Sequence, residues 1–333
     1  MKALVTGGGG FLGKAIVTQL VARGDSVRSL ARGDYPELRA LGVDTRRGDV
    51  SSPGAVRDAV EGCEVVFHIA AKAGIWGTAE EYNQANIEGT RQLLEATRSA
   101  GCPRFVYASS PSVIYGGQPL EGVDESVPYP LHYDADYPRT KAAAEQLVLG
   151  ANSTALRTVA LRPHLIWGPG DTNLVPRIVA RAKAGQLRKV GDGKALVDTV
   201  YIDNAAEAHI LAADRLTPGS AVCGRVYFIS NGQPVPVGEM LERIVAAAGL
   251  PPKIRSVPAG LALAAGGAME FAWRALGRTD EPRMTRFLAQ QLSTAHWFDI
   301  SAARRDLGYV PRVSIDEGMV RLAAWLRGRI AGA

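Results

Sequence analysis

Tyr137 and Lys141, a tyrosine and a lysine four residues apart, are well suited to acid–base chemistry. Residues at this spacing share one face of a helix, so the lysine ammonium can hold the phenol near its deprotonation point. Free tyrosine has a pKa of about 10, and we expect Lys141 and a bound nicotinamide to lower it. The pair predicts hydride transfer between a nicotinamide and a carbonyl or alcohol carbon. The alternative is an exposed helical pair without chemistry.

A glycine-rich turn lies far upstream of this pair, at the start of the chain. It runs from Thr6 to Gly13 and contains four consecutive glycines, Gly7–Gly10. Small residues let the backbone approach a pyrophosphate, whose charge is met by the N-terminus of the next helix. A β-branched run precedes the turn and an apolar helical face begins at Phe11, which is the context this motif requires. We predict dinucleotide binding; the alternative is a simple tight turn.

The end of the second predicted strand bears on the choice of dinucleotide. Sites that select NAD usually carry Asp or Glu there, to bind the ribose hydroxyls. This sequence has Ala31 followed by Arg32. Without a carboxylate there is no repulsion toward a 2′-phosphate, and a guanidinium can bind it through two hydrogen bonds. We predict NADPH over NADH; the alternative is that Arg32 is an ordinary surface arginine.

Serines follow a predicted strand that ends near Ala108, at the edge where open α/β sheets bind ligands. A hydroxyl there can bond a substrate oxygen as negative charge develops on it. Ser109, Ser110 and Ser112 all compete for this role. The alternative, that they cap backbone amides in a turn, is expected to hold for at least two of them.

Metal binding is not predicted, because the five histidines show no metal-ligand spacing. We expect each to be a packed or loop residue; they are His68, His132, His164, His209 and His296. Trp76 is expected either to line a substrate pocket or, slightly in preference, to anchor the core.

Alternating β-branched runs and helical patterns predict an α/β fold, a Rossmann-type doubly wound parallel sheet. A smaller, mostly helical C-terminal lobe is predicted to bind the substrate. We expect a cofactor-binding domain over residues 1–165, with strands returning at about 197–230, and an interleaved substrate lobe over 166–330. The predicted strands are Ala3–Thr6, Val27–Leu30, Val65–Ile69, Phe105–Ala108, Thr158–Leu161, Val197–Ile202 and Val226–Ile229. Later helices are predicted at Leu174–Ala184, Ala259–Ala275 and Met319–Ile330.

Composition narrows the class of protein. With 47% hydrophobic and 21% charged residues the chain is typical of a globular protein, and its net charge of +5 is scattered, which argues against nucleic-acid binding. Three dispersed cysteines predict buried residues in a reducing cytoplasm, not disulfides. No signal peptide is predicted, since the first strand begins at once. The apolar run Ala259–Met269 is short of the ~20 residues that span a bilayer, but it can lie against lipid or a fatty chain.

Together these residues closely resemble the extended short-chain dehydrogenase/reductase family, and within it the 3β-hydroxysteroid dehydrogenase-like branch. The resemblance covers essentially the whole chain, with further matches at Leu161–Asp171, Tyr201–Asn204 and Leu307–Pro311. It implies a catalytic Tyr137 and Lys141, and it selects Ser110 as the third catalytic member. The cofactor contacts that it implies or that the motifs predict are Gly7, Gly10, Phe11, Leu12, Gly13, Arg32, Asp49, Val50, Ala70, Lys72, Tyr137, Lys141 and Pro163.

Within this branch the chain is similar to members that use NADPH to reduce the 3-keto group of long-chain 2-alkyl-3-oxoalkanoic acids on a route to olefins. That likeness implies an oxidoreductase acting on CH–OH groups, with residues 259–276 covering the alkyl chains and a basic residue of 177–194 meeting the carboxylate. It also implies a cytoplasmic homodimer, possible peripheral membrane contact and contact with other enzymes of the route. The alternatives are a 3β-hydroxysteroid or sterol dehydrogenase, a nucleotide-sugar epimerase and a non-catalytic NADPH sensor.

Overall fold

The computed structural model describes residues 1–74 and 76–331. Its strands are β1 (Lys2–Thr6), β2 (Ser26–Ala31), β3 (Asp44–Arg47), β4 (Val65–His68), β5 (Arg104–Ala108), β6 (Leu120–Val123), β7 (Arg157–Pro163), β8 (Ile166–Trp167), β9 (Arg188–Val190), β10 (Leu196–Val197), β11 (Val200–Tyr201), β12 (Arg225–Ile229), β13 (Val235–Pro236), β14 (Arg255–Val257) and β15 (His296–Phe298).

Its α-helices are α1 (Phe11–Ala22), α2 (Pro36–Ala40), α3 (Pro53–Val60), α4 (Ala79–Tyr82), α5 (Gly89–Ser99), α6 (Asp136–Gly150), α7 (Leu174–Lys183), α8 (Ile202–Arg215), α9 (Val237–Ala247), α10 (Ala259–Ala275), α11 (Arg286–Ser293) and α12 (Ile315–Ala331). Two π-helical turns, Asn83–Glu88 and Ala303–Leu307, and a 3-10 turn, Pro111–Ile114, complete the helical segments of the described ranges.

A parallel sheet of seven strands forms the centre of the described chain, in the order β12-β7-β5-β4-β1-β2-β3. Its strands are apolar on both faces: in β1, Ala3 and Val5 pack with α1 and α8, whereas Leu4 packs into the cluster beneath α3, α5 and α6. Burial on both faces explains the nearly continuous apolar runs in the sequence. The strand order reverses beside β1, and such a reversal opens a ligand crevice at the carboxyl edge of the sheet.

The predicted α/β doubly wound fold is confirmed, and the predicted strands at β1, β2, β4, β5, β7 and β12 are all present. The single strand predicted over Val197–Ile202 is wrong. That run forms β10 and β11, which belong to separate small sheets and not to the central one. Asp198 interrupts it, because its buried carboxylate accepts a hydrogen bond from the Phe298 amide at 3.1 Å.

Smaller units cover the carboxyl edge of the central sheet. One small sheet has the order β13-β10-β15-β6, and two-stranded sheets join β8 to β11 and β9 to β14. The predicted helix over Ala259–Ala275 is confirmed as α10, and it packs against α11. Within the described ranges no helix is both long and apolar enough to cross a membrane. The proposed domain division at residue 165 stays a prediction.

The cysteines are all free, and two of them occupy the predicted environment. Cys63 and Cys102 are buried, but Cys223 is only partly buried. Its position explains the difference, since it lies in the turn that precedes β12, where its thiol faces the Thr217 carbonyl at 3.5 Å.

Candidate active site

The glycine turn joins β1 to α1 with no room for side chains. Gly7 adopts a φ of 68°, which glycine tolerates best, and its carbonyl accepts the Gly10 amide at 2.9 Å. A Cβ added at Gly13 would lie 2.1 Å from the Gly7 carbonyl oxygen. No side chain caps α1, so the first amides of that helix are free to meet an anion. This turn fits the pyrophosphate of a dinucleotide.

The predicted adenine-side residues lie where β2 and β3 end. Arg32 is exposed and directly follows β2, whose last residue is Ala31 and not a carboxylate residue. Asp49 accepts hydrogen bonds from the Ser51 amide at 2.9 Å and hydroxyl at 2.7 Å. Burial acts to raise the pKa of Asp49, but these bonds and the Arg32 charge lower it overall. Asp49 is therefore held as a carboxylate oriented by its own turn.

Ala70 and Lys72 lie just beyond the carboxyl end of β4, opposite the glycine turn. The Thr6 hydroxyl accepts the Ala70 amide at 3.1 Å, and a Cβ at Gly7 would approach the Ala70 backbone to 3.1 Å. The Lys72 amide donates to Asn86 at 2.7 Å. Lys72 Nζ lies 3.5 Å from Glu81, a pairing that leaves the lysine side chain partly exposed.

The predicted tyrosine–lysine pair lies on the first two turns of α6. Lys141 is buried, with Nζ donating to the Ala108 carbonyl at 2.6 Å and lying 4.1 Å from the centre of the Tyr107 ring. Burial lowers the pKa of Lys141 to about 7, against the opposing charge of Glu145. Lys141 can therefore gain or lose a proton near neutral pH.

The phenol does not have the lowered pKa predicted from the Lys141 spacing. Burial raises the pKa of Tyr137, and hydrogen bonding with Ser110 only partly opposes that effect. In the protein alone Lys141 does not lower the phenol pKa, because its ammonium is directed at Ala108 and Tyr107. The predicted joint effect of Lys141 and a bound nicotinamide stays a prediction. A phenol with a raised pKa stays protonated at neutral pH, as a proton donor must, but it is a weaker acid than free tyrosine.

The three serines after β5 all line the cavity, but only one is linked to the phenol. Ser110 begins the 3-10 turn and accepts hydrogen bonds from the Ser112 amide at 3.2 Å and hydroxyl at 3.0 Å. The Ser109 hydroxyl is buried without a partner among the described residues. This geometry agrees with the choice of Ser110, whose catalytic role stays a prediction.

One cavity of about 1340 Å³ brings the predicted residues together. Every predicted site residue lines it: Gly7, Gly10, Phe11, Leu12, Gly13, Arg32, Asp49, Val50, Ala70, Lys72, Ser110, Tyr137, Lys141 and Pro163. Beyond Tyr137 the cavity continues between α7, α10 and α11. Apolar side chains surround this outer chamber: Leu261, Ala262, Ala265, Met269, Met284, Phe287, Leu288 and Leu292.

Basic residues of the predicted 177–194 segment reach the same chamber. Arg177 pairs with Glu281, with Nη1 2.9 Å from Oε1. Arg181 instead donates to the Arg283 carbonyl at 2.8 Å, and burial together with the charges of Arg177 and Arg283 lowers its pKa. Arg188 also lines the cavity. Positive charge thus exceeds negative charge on this wall.

Two residues have surroundings that were not predicted from the sequence. Trp76 is neither a cavity wall nor a core anchor: it is half-buried, and its indole donates to the Arg278 carbonyl at 3.1 Å. His164 lines the cavity beside Asp198, although no motif in the sequence distinguishes it from the other histidines. The sequence feature that could have identified His164 as a cavity residue is its position directly after Pro163, at the end of a strand. Among residues 1–74 and 76–331 no cluster of potential ligands could hold a metal.

Several known proteins are similar to this chain in sequence or in structure. The sequence pattern of the 3-beta hydroxysteroid dehydrogenase/isomerase family matches residues 4–258. The chain is 52% identical over 326 residues to a 2-alkyl-3-oxoalkanoate reductase of Stenotrophomonas maltophilia, covering 97% of this chain and 99% of that protein. It is 49% identical over 332 residues to a 2-alkyl-3-oxoalkanoate reductase of Shewanella oneidensis, covering 97% and 86%. The solved structure of MoeE5 in complex with UDP-glucose and NAD matches with a TM-score of 0.76 and 28% identity, covering 99% and 100%.

Proposed function

The chain belongs to the 3-beta hydroxysteroid dehydrogenase/isomerase family, and on this premise we propose that it uses NADPH to reduce the 3-keto group of a long-chain 2-alkyl-3-oxoalkanoate. It is an oxidoreductase acting on CH–OH groups. The observation that carries the proposal is the single cavity that joins the Tyr137–Lys141 pair to an apolar chamber. Such a chamber suits alkyl chains, and 2-alkyl-3-oxoalkanoate reductase is the name of the two relatives above.

The glycine turn would hold a nicotinamide nucleotide, which would supply the hydride for reduction of the C3 carbonyl. Tyr137 donates its proton to the oxygen as negative charge develops there, and its buried, protonated phenol is ready to do so. Ser110 orients the same oxygen by hydrogen bonding. Lys141 would hold the cofactor ribose, and with a pKa of about 7 it could resupply the proton that Tyr137 gives up. The product is the 2-alkyl-3-hydroxy acid.

We propose NADPH as the coenzyme because Arg32 lines the cavity and because position 31 holds alanine, where sites that select NAD carry a carboxylate. A guanidinium there can bind the 2′-phosphate that distinguishes the two nucleotides. We expect Arg32→Ala to weaken NADPH binding by about tenfold or more while leaving NADH binding within about twofold. Calorimetric titration with each nucleotide measures both. Equal losses for the two nucleotides, or no loss for NADPH, would contradict this assignment.

The decisive experiment follows formation of the reduced nicotinamide while the purified protein oxidises a syn or anti 2-alkyl-3-hydroxy acid with NADP⁺. This direction avoids free β-keto acids, which decarboxylate readily. We expect turnover of at least one isomer. A 3β-hydroxysteroid is the second candidate substrate, favoured by the family description, and is assayed in parallel. Turnover of the steroid and not of the acids would reverse the order of the two candidates.

The proposed substrate also suggests where the protein works. Leu261 both lines the chamber and is 62% exposed, and Phe271 on the same helix is 76% exposed. These residues support peripheral contact of α10 with a lipid surface, from which long-chain substrates would enter. A cytoplasmic location, a homodimer and contact with other enzymes of olefin formation stay predictions.

A further inference from the structure

A histidine that lines the cavity is paired with a buried aspartate behind it, and neither residue has a part in the reaction outlined above. His164 follows Pro163 at the end of β7, and its side chain is 8% exposed. Its Nδ1 lies 2.6 Å from Oδ1 of Asp198, which is completely buried. Edge-on contacts with His296 and Phe298, at centroid distances of 5.1 and 5.0 Å, fix the plane of the imidazole. The ring is therefore held in one orientation.

The bond to Asp198 determines which nitrogen is available to a ligand. Oδ2 of Asp198 accepts a hydrogen bond from the Phe298 amide at 3.1 Å, which fixes the carboxylate. Oδ1 of the same carboxylate accepts a hydrogen bond from the Nδ1–H of His164. The other nitrogen, Nε2, has no hydrogen-bond partner among the described residues. His164 lines the cavity, and Nε2 is the imidazole nitrogen left to bind a ligand there.

The position of His164 brings it to the reacting end of the cavity. β7 and β5 are neighbours in the sheet, and the Ser109 amide donates to the Leu161 carbonyl at 2.6 Å. The segments that carry Ser110 and His164 therefore leave the sheet side by side. Arg181 lies instead on α7, bonded to the Arg283 carbonyl in the outer chamber.

The proposed substrate has a polar group that must lie close to the reacting carbonyl. In a β-keto acid a single carbon separates the carboxylate from C3, so the group that binds it must be close to Ser110 and Tyr137. We propose that His164, held by Asp198, binds the carboxylate of the substrate. This inference rests on the proposed function. To donate a hydrogen bond to that carboxylate, Nε2 must hold a proton in addition to the one on Nδ1, and the ring then lies between two carboxylates, one from Asp198 and one from the substrate.

The neighbouring His296 is unsuited to the same role. Its Nε2 donates to the Gln291 carbonyl at 2.5 Å, and burial and the nearby His164 lower its pKa to about 4. A neutral ring with its proton on Nε2 leaves Nδ1 as an acceptor, which a carboxylate cannot use. His296 therefore packs against His164 without competing for the anion.

The test compares binding of a 2-alkyl-3-hydroxy acid with binding of its methyl ester, by calorimetry in the presence of NADP⁺. The variant is His164→Asn, whose amide keeps a donor for Asp198 but does not extend to the cavity. We expect wild type to bind the acid at least about tenfold more tightly than the ester, as a charge-assisted hydrogen bond would provide. In His164→Asn the two affinities should agree within about twofold, with ester binding retained.

Two further variants make the result decisive. Arg181→Met, which removes the competing cation of the outer chamber, should keep the preference for the acid. Asp198→Asn, which removes the countercharge but keeps a hydrogen-bond acceptor, should reduce that preference even if His164→Asn does not fold. Preference lost in Arg181→Met, or retained in a folded His164→Asn, would overturn the proposal; if His164→Asn does not fold, preference retained in Asp198→Asn would overturn it. The proposed function is judged separately, from wild type alone. If wild type oxidises the acid, that function stands whatever the variants show; if wild type oxidises no isomer, the function itself is contradicted.

Discussion

Lys141 illustrates how a residue proposed for catalysis can oppose folding. Its ammonium is buried, and the Ala108 carbonyl and Tyr107 ring only partly replace the water that it loses. The pKa is consequently lowered to about 7 in the folded protein, whereas an unfolded lysine titrates at about 10.4. Below the folded pKa the folded protein must hold a buried charge, which costs stability.

We predict that Lys141→Met stabilises the protein most at and below neutral pH. Between about pH 7 and 10 the unfolded chain binds more protons than the folded one, so wild-type stability rises with pH in that window. The melting temperature of Lys141→Met should exceed that of wild type by at least about 2 °C at pH 6. The difference should shrink toward pH 10. The control is Lys14→Met, an exposed lysine, for which a pH-independent difference is expected.

Leu165 carries backbone strain next to the proposed carboxylate site. It is the non-glycine residue with positive φ in the described ranges, at 42°, and its side chain lines the cavity. The left-handed conformation costs a leucine roughly 1–2 kcal/mol, and strain of this kind clusters at functional sites. We infer that the strain is retained because it directs Leu165 toward the substrate.

Replacing Leu165 by glycine should therefore separate stability from binding. Leu165→Gly is expected to raise the free energy of unfolding by about 0.5–1 kcal/mol, the relieved strain less the added chain entropy. It should also weaken binding of long-chain acids, because a cavity wall is removed. Leu131→Gly, at an exposed position without positive φ, should lower stability by a similar amount. Chemical denaturation and calorimetry measure both; a destabilised Leu165→Gly contradicts the argument.

Residue spacing predicted Tyr137, Lys141 and the glycine turn because each motif is local in the chain. His164 and Asp198 are 34 residues apart and meet only through the fold, so no spacing rule identifies them. The raised pKa of Tyr137 in the protein without cofactor could not be read from the Lys141 spacing for a similar reason. Burial, a property of the whole site, outweighs the neighbour that sequence proximity suggests.

The contact between α10 and α11 depends on a single helical glycine. A Cβ at Gly266 would lie 2.7 Å from the carbonyl carbon and 2.8 Å from the amide nitrogen that join Thr285 to Arg286. Backbone atoms cannot move aside as a flexible side chain can. At the next position, Gly267, the nearest atom is the Arg286 Cδ, at an ordinary 3.6 Å. The two glycines thus differ in surroundings while sharing one helix.

We predict opposite effects for the two alanine variants. Gly266→Ala should lower the free energy of unfolding by about 1–3 kcal/mol, because the two helices must separate. Gly267→Ala should raise it by roughly 0.5–1 kcal/mol, because alanine favours the helix. Thermal denaturation tests both. Since α10 and α11 form the chamber, Gly266→Ala should also weaken long-chain binding, and equal stabilities of the two variants would refute the close contact.

Elements were predictable where burial imposed a regular pattern. The core strands and α10 follow from apolar runs and helical periodicity, and α10 matches its predicted ends. The run at 197–202 also contains apolar residues but is divided by Asp198, whose burial beside His164 and Phe298 depends on tertiary contacts. Two-residue strands such as β10 and β11 carry too little pattern to be read from sequence.

At the scale of the whole molecule, α10 presents apolar residues to both the chamber and the exterior. Leu261, Ala264, Ala268, Phe271 and Ala275 lie along one exposed face. An apolar helix face of this kind is normally covered. Exposed basic residues, Lys253, Arg255, Arg274 and Arg283, lie in the segments that carry or adjoin this helix. Apolar insertion flanked by positive charge matches an anionic lipid surface.

We therefore predict that the protein sediments with vesicles containing an anionic phospholipid and less with neutral vesicles. The double variant Phe271→Ser/Leu276→Ser should weaken this association by about tenfold or more, because each side chain contributes buried apolar area. Val320→Ser serves as the control, since Val320 is 68% exposed on α12 and close in exposure to Leu276, at 71%. Raised salt should weaken binding by screening the basic residues. If both variants sediment equally, α10 does not contact lipid, and its exposed face must be covered by protein.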